Sequence, residues 1–286
     1  VPTALGNEAD HFWLIALGRW ATPREVLRLF AVHLGTPLAR ALTHKDTDPV
    51  FAVSTLGRAV HVHSAARLLS LVLPYVAPLA QSGTLTYGSA CSGVDLVAVA
   101  LEELVGQDFH YAFASELDPT VTLFLSRSHA HRGLVRGAIF PDACDAHDVT
   151  YRMAHVDIWS ITAPCEKYSR RNHAVNPLDI NRASNALDSM LDYARLHRPK
   201  AIVAENVDEP ESRAAVGAAL LRIPDYAWLT FQSNARDYGP MARTRRFWAG
   251  IDTRSVDART FLGQLPAASA PLPAQAGAAG SSTDAP

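Results

Sequence analysis

The chain has little net charge and few cysteines, and both shortages narrow its possible functions. Its 26 basic and 28 acidic residues give a formal charge of −2 over 286 residues. This balance provides no overall attraction for a polyanion, so any nucleic-acid surface must be a local patch. Cys91, Cys144 and Cys165 are odd in number and lack CxxC or histidine spacing, which argues against a disulfide framework and against a metal site. We therefore expect an intracellular protein that binds no metal.

Long apolar runs are also missing from the sequence. No stretch approaches the length of a membrane span, and the N-terminus has no basic region followed by an apolar leader core. With 48% hydrophobic residues the chain can nevertheless bury a core of one or two domains. The expectation is a soluble, folded protein with no membrane partner.

Three regions of the chain differ in composition and in predicted secondary structure. Residues 1–81 are predicted to be mainly helical, and Thr22-Pro23 has the N-cap and first-turn proline of a helix start. Residues 82–252 alternate strand, turn and helix, which predicts an α/β fold with a doubly wound, mostly parallel sheet. Residues 253–286 become rich in Ala, Pro, Gly and Ser, and we predict that they form a disordered tail.

The most informative feature is Pro164-Cys165, which ends an apolar stretch that begins at Val156. A cysteine just past the C-terminal end of a buried strand lies where open α/β sheets place ligands and chemistry. A second apolar run, Ala201-Ile-Val-Ala204, ends in Glu205-Asn206. A nucleophile and an acid, each at the end of its own strand, predict one shared crevice.

A second group of residues indicates a ligand-binding loop. Gly88-Ser-Ala-Cys-Ser-Gly93 joins a predicted strand to a helix, and its small residues let backbone amides approach a ligand. Glu116 ends the next strand, where doubly wound folds bind ribose hydroxyls, and Asp148 follows where a third strand could end. A tight turn, a solvated acid and a turn aspartate explain the same residues when each is taken alone. The loop is not GxGxxG, which argues against a dinucleotide.

Five blocks in order resemble motifs of the DNA (cytosine-5) methyltransferase family. They are Tyr87-Gly-Ser-Ala-Cys-Ser-Gly93, Ala114-Ser-Glu-Leu-Asp-Pro119, Ala163-Pro-Cys-Glu-Lys-Tyr-Ser169, Glu205-Asn-Val207 and Asn234-Ala-Arg-Asp-Tyr-Gly239, which runs on to Arg246-Phe-Trp. The resemblance implies the Rossmann-like fold of the S-adenosylmethionine-dependent methyltransferases.

Two further blocks, Arg19–Leu29 and Gly57–Ala65, resemble the ninth and tenth motifs of that family. In the usual order these motifs come last, whereas here they precede the first. The resemblance therefore implies a circularly permuted chain, which is feasible because domain termini often lie close together.

By this resemblance, the chain would methylate C5 of a cytosine in double-stranded DNA after the base has left the stack. Cys165 would attack C6 of the ring, and Glu205 would hydrogen-bond the base and stabilise the charge that develops on it. Arg246, together with Arg243 or Arg245, would contact the flipped nucleotide.

The resemblance also implies S-adenosyl-L-methionine as the cofactor. Glu116 would bind its ribose, and Asp148 would lie near its adenine. The other implied cofactor-binding residues are Tyr87, Ser89, Ala90, Cys91, Ser92, Gly93, Leu117, Val149, Pro164, Ala59 and Val60.

Several positions depart from the family pattern. The residues that replace the usual glycines, glutamines, arginine or asparagine are Ala90, Ser92, Glu166, Ala242, Thr244 and Arg58. The sequence also lacks an evident target-recognition domain after the arginine block. A separate chain would then choose the target cytosine.

Three alternatives to a DNA methyltransferase stay open. The chain is a weakly active or non-catalytic subunit that needs a partner, or it methylates cytosine in RNA, which requires no large DNA-reading domain. A nicotinamide oxidoreductase comes last, because the first loop lacks the glycine pattern. A cytoplasmic or nucleoid-associated location accompanies the leading interpretation.

Overall fold

The computed structural model describes residues 3–4, 12–14, 17–80, 83–141, 153–165, 177–263 and 270–271. The described strands are β1 (Thr3–Ala4), β2 (Phe12–Leu14), β3 (Arg19–Trp20), β4 (Leu85–Ala90), β5 (Phe109–Ser115), β6 (Ile139–Phe140), β7 (Ile158–Ile161), β8 (Ala201–Val207), β9 (Tyr226–Asn234), β10 (Thr244–Asp252) and β11 (Ala270–Pro271). The described α-helices are α1 (Pro23–Leu29), α2 (Pro37–Leu42), α3 (Pro49–Arg58), α4 (Val62–Val76), α5 (Leu96–Val105), α6 (Pro119–His129), α7 (Pro177–His197), α8 (Pro210–Leu221) and α9 (Ala258–Leu262).

The main sheet is doubly wound and mostly parallel, as the sequence predicted. Its strands follow the order β11, β9, β10, β8, β7, β4, β5 and β6. β4 pairs in parallel with β5 and β7, and β7 pairs in parallel with β8, whereas β10 is antiparallel to both β8 and β9. The chain proceeds outward through β5 and β6 and then returns to β7 on the other side of β4. The strand order therefore reverses between β4 and β7, where such sheets open a crevice at their C-terminal ends.

Helices cover both faces of this sheet. On one face, α4 and α5 pack with the helices before them in a core that includes Phe30, Leu68 and Val203. On the other face, α7 and α8 pack around Trp159 and Trp248. Both sides of the strands are therefore buried, which explains why their sequences read as continuous apolar runs.

The region before β4 contributes to the same core. Its capping box at Thr22 and Glu25 forms as the sequence indicates, with the Thr22 N–H donating to the Glu25 carboxylate over 2.8 Å. The stretch Pro49–Leu79 is long and apolar enough to cross a membrane by length and composition, which the sequence reading did not anticipate. In this fold it includes α4, whose apolar side chains pack on α5 and the sheet.

Both ends of the described chain contain structure that the sequence did not predict. β1, β2 and β3 form a small antiparallel sheet within a region predicted to be mainly helical. Within the predicted tail, α9 buries Phe261, whose ring lies edge-on against Tyr75 at 5.6 Å. Residues 264–269 and 272–286, which make up the rest of that prediction, lie outside the described residues.

Gly88 allows β4 and β5 to pack where the first loop begins. A Cβ atom at this position would lie 2.6 Å from the ring of Phe113 on β5, too close for any side chain. The glycine is therefore required by packing beneath the loop, a role separate from contact with a ligand.

Candidate active site

The segment that carries Cys165 is tied to the strands on either side of it. Ile161, the last residue of β7, pairs with Ala204 of β8, so Cys165, which follows β7, and Glu205, which lies near the C-terminal end of β8, are at the same edge of the sheet. The Thr162 hydroxyl donates to the Cys91 carbonyl over 2.8 Å, and the Asn206 side-chain amide donates to the Ala163 carbonyl over 3.2 Å. Cys165 itself is half-buried. The shared crevice expected from the sequence is consistent with this register.

Asn206 is the residue that joins the two strand ends. Its side chain is buried, and its carbonyl oxygen accepts the N–H of Val207 over 2.8 Å while its amide reaches Ala163. An amide suits this position because it supplies one donor and one acceptor from a single planar group. Asn206 thus holds the backbone two residues before the Cys165 thiol.

Glu205 is paired with Arg245. The Arg245 Nε lies 2.9 Å from the Glu205 Oε1, and both side chains are largely buried. Burial raises the pKa of the Glu205 carboxyl above its usual range, while Arg245 and then Arg243 oppose that rise. Burial therefore favours the protonated form of Glu205, whereas the two arginines favour its carboxylate.

The arginines that the sequence grouped together have separate partners. Arg246 donates from Nε to Asp208 over 2.8 Å, on the face of β10 opposite Arg245, because successive strand residues point to opposite faces. Arg243 donates to the Gly57 carbonyl over 2.8 Å and lies over the ring of Phe30. Arg245 is thus the arginine that the structure brings to Glu205, a pairing that the sequence did not predict.

The loop after β4 is held by a buried polar network centred on Asp95. Asp95 begins α5 in a left-handed conformation, φ 49°, and accepts the Ala98 N–H over 3.0 Å. Its carboxylate also accepts the hydroxyls of Tyr87, over 3.0 Å, and of Tyr111. The Tyr87 side chain therefore points into the core, and its hydrogen bond to Asp95 holds the loop after β4 against β4 and β5.

Two serines complete this network. The Ser89 hydroxyl contacts both Ser92 and Tyr111, and the Ser92 hydroxyl donates to the Ser115 carbonyl over 3.1 Å. Ser92, which replaces a family glycine, thus links the loop to the end of β5. Ala90 is buried within β4, whereas Cys91 is half-buried at a positive φ of 53°.

Glu116 lies directly against the loop after β4. The Gly93 N–H donates to Glu116 Oε2 over 2.8 Å, and the Asp118 N–H donates to Oε1 over 2.9 Å. Gly93 has φ 56°, in the left-handed region that favours glycine. Burial raises the pKa of Glu116 despite these hydrogen bonds, and the neighbouring Leu117 is 54% exposed. The loop and the acid that the sequence considered jointly are in contact.

Of the remaining sequence-predicted residues, the structure describes three, which are Ala59, Val60 and Pro164. Ala59 and Val60 connect α3 to α4, next to the Gly57 carbonyl that Arg243 holds, so they are anchored to the start of β10. Pro164 is half-buried beside Cys165. Asp148 and Val149 lie outside the described residues. Across the described ranges, no group of three or more His, Cys, Asp or Glu side chains could hold a metal ion.

Sequence reasoning missed Asp95 and Asp208. The N-cap position of Asp95, directly before the apolar run that starts at Leu96, was a signal that could have found it. Asp208 follows the Glu205-Asn-Val207 block, but its partner on β10 has no local signal in the sequence.

Comparisons with known proteins found similarity only at the level of solved structures. No family model and no curated protein matches the chain. A prophage-encoded protein of Escherichia coli described as a DNA modification methyltransferase matches at 18% identity and TM-score 0.44, over 60% of this chain and 47% of its own. The Dnmt2 methyltransferase of Schizosaccharomyces pombe matches at 16% identity and TM-score 0.44, over 59% and 49%.

A protein of Pyrococcus horikoshii described as an RNA methyltransferase matches at 12% identity and TM-score 0.42, over 80% of this chain and 98% of its own. The chain thus spans about half the length of the first two structures. The matched structures are methyltransferases, the class whose Rossmann-like fold the sequence predicted. Because each TM-score is below 0.5, a function for this chain must be argued from its own residues.

The Asn206 tether leads to a stability prediction. Asn206→Ala removes the donor to Ala163 and the acceptor for Val207, and leaves buried polar groups without partners. We expect the free energy of unfolding, measured in urea, to fall by about 1–3 kcal/mol. Gln232→Ala, an exposed position on β9, is the control and should change it by less than about 0.5 kcal/mol. Equal values for the two variants would contradict a tethering role.

Proposed function

We propose that the chain is an S-adenosylmethionine-dependent methyltransferase that modifies C5 of cytosine in DNA through a covalent cysteine intermediate. The observation that carries the proposal is the pairing of β7 with β8, which brings the Cys165 and Glu205 segments to one edge, joined by Asn206. A cysteine beside a buried acid is the minimum that this chemistry requires. Fold likeness by itself does not distinguish it from other methyl transfers.

The proposed chemistry begins with nucleophilic attack on the base. The Cys165 thiolate forms an S–C6 bond, and the C5=C6 electron pair moves to C5, which becomes enamine-like and nucleophilic. Glu205 stabilises this change by donating a hydrogen bond to ring N3 from its protonated form and by accepting one from the exocyclic amine. A raised pKa at Glu205 suits this role, because ring N3 is itself an acceptor.

The reaction ends when the Cys165 sulfur is eliminated from C6 of the base. C5 gains the methyl group that bound S-adenosylmethionine would supply, with S-adenosylhomocysteine as the leaving group, and it still carries its own proton. A base removes that proton, the electron pair re-forms C5=C6, and the S–C6 bond breaks to release Cys165 as a thiolate. The target cytosine must be out of the duplex stack for Cys165 to reach C6.

The edge formed by β4 and β5 fits S-adenosylmethionine, which supplies an electrophilic methyl group when bound. The half-buried Glu116 carboxylate offers two acceptors for a ribose diol, next to the backbone of Gly93 at the start of α5. Leu117 offers an exposed apolar side chain for a planar base. Cys91 and Pro164 would line the side toward the reacting cytosine.

Circular permutation is part of the proposal. Its support is the packing of α4, which lies on α5 and the sheet and leads directly into β4. A hydrogen bond of 3.0 Å between Ser64 and Ser233 joins the start of α4 to β9. The helical segment 1–81 and the catalytic domain 82–252 would accordingly form one cofactor-binding unit. We also propose that a separate chain selects the target sequence in the DNA.

Cofactor binding through Glu116 is the first test. Glu116→Ala should weaken S-adenosylmethionine binding by about 10-fold or more, measured by calorimetry, because charge-assisted hydrogen bonds to the ribose are lost. Glu211→Ala removes an exposed acid at the start of α8 and is the matched control. Unchanged affinity in Glu116→Ala would exclude the ribose assignment.

Covalent trapping is the test of the reaction itself. The full chain is incubated with S-adenosylmethionine and DNA or RNA that contains 5-fluorocytosine, whose C5 fluorine cannot leave as a proton does. We expect a denaturation-resistant adduct with DNA that disappears in Cys165→Ser. An adduct with RNA alone would favour the RNA alternative. Cofactor binding without any adduct would favour the non-catalytic subunit.

Substitutions of Arg245 and of Arg246 should affect different steps, the first the pH dependence of the reaction and the second the binding of DNA. Arg245→Gln removes the cation that opposes the raised pKa of Glu205, so that pKa should rise further. Because the protonated acid is required, activity that falls with rising pH should then fall at a higher pH than in the wild type. Arg246→Gln should leave the high-pH limb of the pH–rate profile unchanged and weaken DNA binding about 5- to 10-fold. A pH–rate profile that shifts in Arg246→Gln and not in Arg245→Gln would exclude Arg245 as the arginine that sets the pKa of Glu205.

A further inference from the structure

A cluster of three rings lies beside the candidate active site. It consists of His61, His63 and Tyr238, called here the ring cluster. The His61 and Tyr238 rings are stacked, with centroids 5.9 Å apart and planes inclined by 17°. The His63 ring meets Tyr238 edge-on at 5.8 Å and 73°. Stacked and edge-to-face arrangements of this kind are favourable contacts between aromatic rings.

The backbone around Tyr238 is held in place before any ligand binds. A short 3₁₀ turn, Ala235–Asp237, precedes Tyr238, whose N–H donates to the Ala235 carbonyl over 3.1 Å. The Asn234 side-chain oxygen accepts the N–H groups of Arg236 and Arg243, each over 3.0 Å. A ring on such a support loses little conformational freedom when it makes a contact.

His61 supports the tyrosine ring without adding charge. It is buried at the start of α4, and burial, followed by His63 and Arg243, lowers its pKa to about 4. His61 is therefore neutral at physiological pH. A neutral flat ring beneath Tyr238 supplies stacking surface, so any positive charge for a polyanion must come from the arginines nearby.

The ring cluster lies at the same edge of the sheet as Glu205. Arg243 lies over the Phe30 ring, whose centroid is 6.5 Å from that of His61, and it directly precedes β10, which carries Arg245, the partner of Glu205. The Ser64–Ser233 hydrogen bond joins the start of α4 to β9 next to Arg245, which pairs with Ser233 across the strands. The cluster therefore lies at the same edge of the sheet as the acid that the proposed reaction uses, one strand pairing away from Arg245.

The exposure of Tyr238 distinguishes it from the packing tyrosines of this fold. Tyr87 and Tyr111 are fully buried, whereas Tyr238 is 37% exposed. His63 and Arg236 are exposed beside it. Core packing alone does not require an exposed ring on a rigid support, with a basic side chain two residues away.

The geometry points to a stacking platform for DNA, in which Tyr238, backed by His61 and flanked by His63, receives the base next to the target cytosine. Arg236 contacts the adjacent phosphate. Aromatic rings and arginines are the pair of features by which proteins hold unstacked nucleic-acid strands. The inference rests on the proposed function and gives the chain its own contact to the polymer in addition to any separate recognition chain.

The test combines substitutions of Tyr238 with DNA strands that lack one base. Fluorescein-labelled single-stranded DNA of about twelve nucleotides, with one cytosine, is compared by anisotropy with versions that are abasic on its 5′ or 3′ side. The wild type should bind one abasic version about 10-fold more weakly than the intact strand. Tyr238→Leu should bind the intact strand about 10-fold more weakly and no longer distinguish the abasic version, whereas Tyr238→Phe should match the wild type.

Arginine variants supply the matched comparison. Arg236→Ala should weaken binding of all three strands equally and reduce the salt dependence, because a phosphate contact is independent of base. Arg222→Ala removes an exposed arginine that follows α8 and should change neither quantity. Melting temperatures of all variants confirm that they fold.

The outcomes separate the platform from the reaction. Wild-type affinities that are equal for the intact and both abasic strands overturn the platform, while adduct formation by Cys165 would still stand. A wild-type chain that binds no strand contradicts the proposed function and the platform together. Dependence on the neighbouring base only in RNA of the same sequence overturns the assignment to DNA.

Discussion

The parallel pairing of β4, β7 and β8 is the constraint on which the other features of the site depend. Parallel strands end at one edge, so Cys91, Cys165 and Glu205 all emerge there. The reversal of strand order between β4 and β7 opens the crevice that these residues line. Asn206 then bridges the ends of β7 and β8 with a buried hydrogen bond to Ala163. Without this register, the proposed nucleophile and acid would have no common surface.

Polar pairing at this edge gives a separate partner to each of three arginines, Arg245 and Arg246 of β10 and Arg243 just before it. Arg245 neutralises Glu205, Arg246 binds Asp208, and Arg243 anchors the segment that precedes α4. The pairing at Glu205 has a chemical consequence, because a buried carboxyl without a cation would hold its proton more tightly. The chain at the start of β10 thus supports the fold through Arg243 and affects the pKa of the proposed acid through Arg245.

A chain without net positive charge can still engage a nucleic acid where its polar groups are concentrated. The edge near Glu205 combines arginines with the rings of Tyr238 and His63. This surface is made by two segments distant in sequence, the start of α4 and the turn after β9. Both segments meet at the C-terminal edge of one sheet.

The sequence by itself determined the alternation of strands and helices, the doubly wound sheet and the positions of Cys165 and Glu116 just past strand ends, whereas β8 continues through Glu205 to Val207. These features follow from hydrophobic periodicity and turn residues, which are local. Only the tertiary structure decided that Arg245 meets Glu205 and that Asp95 supports the first loop from below. Arg246 and Asp208 are 38 positions apart, and the antiparallel register of β10 on β8 joins them. Such partners depend on which strand faces meet across the sheet, and no local pattern in the chain encodes that choice.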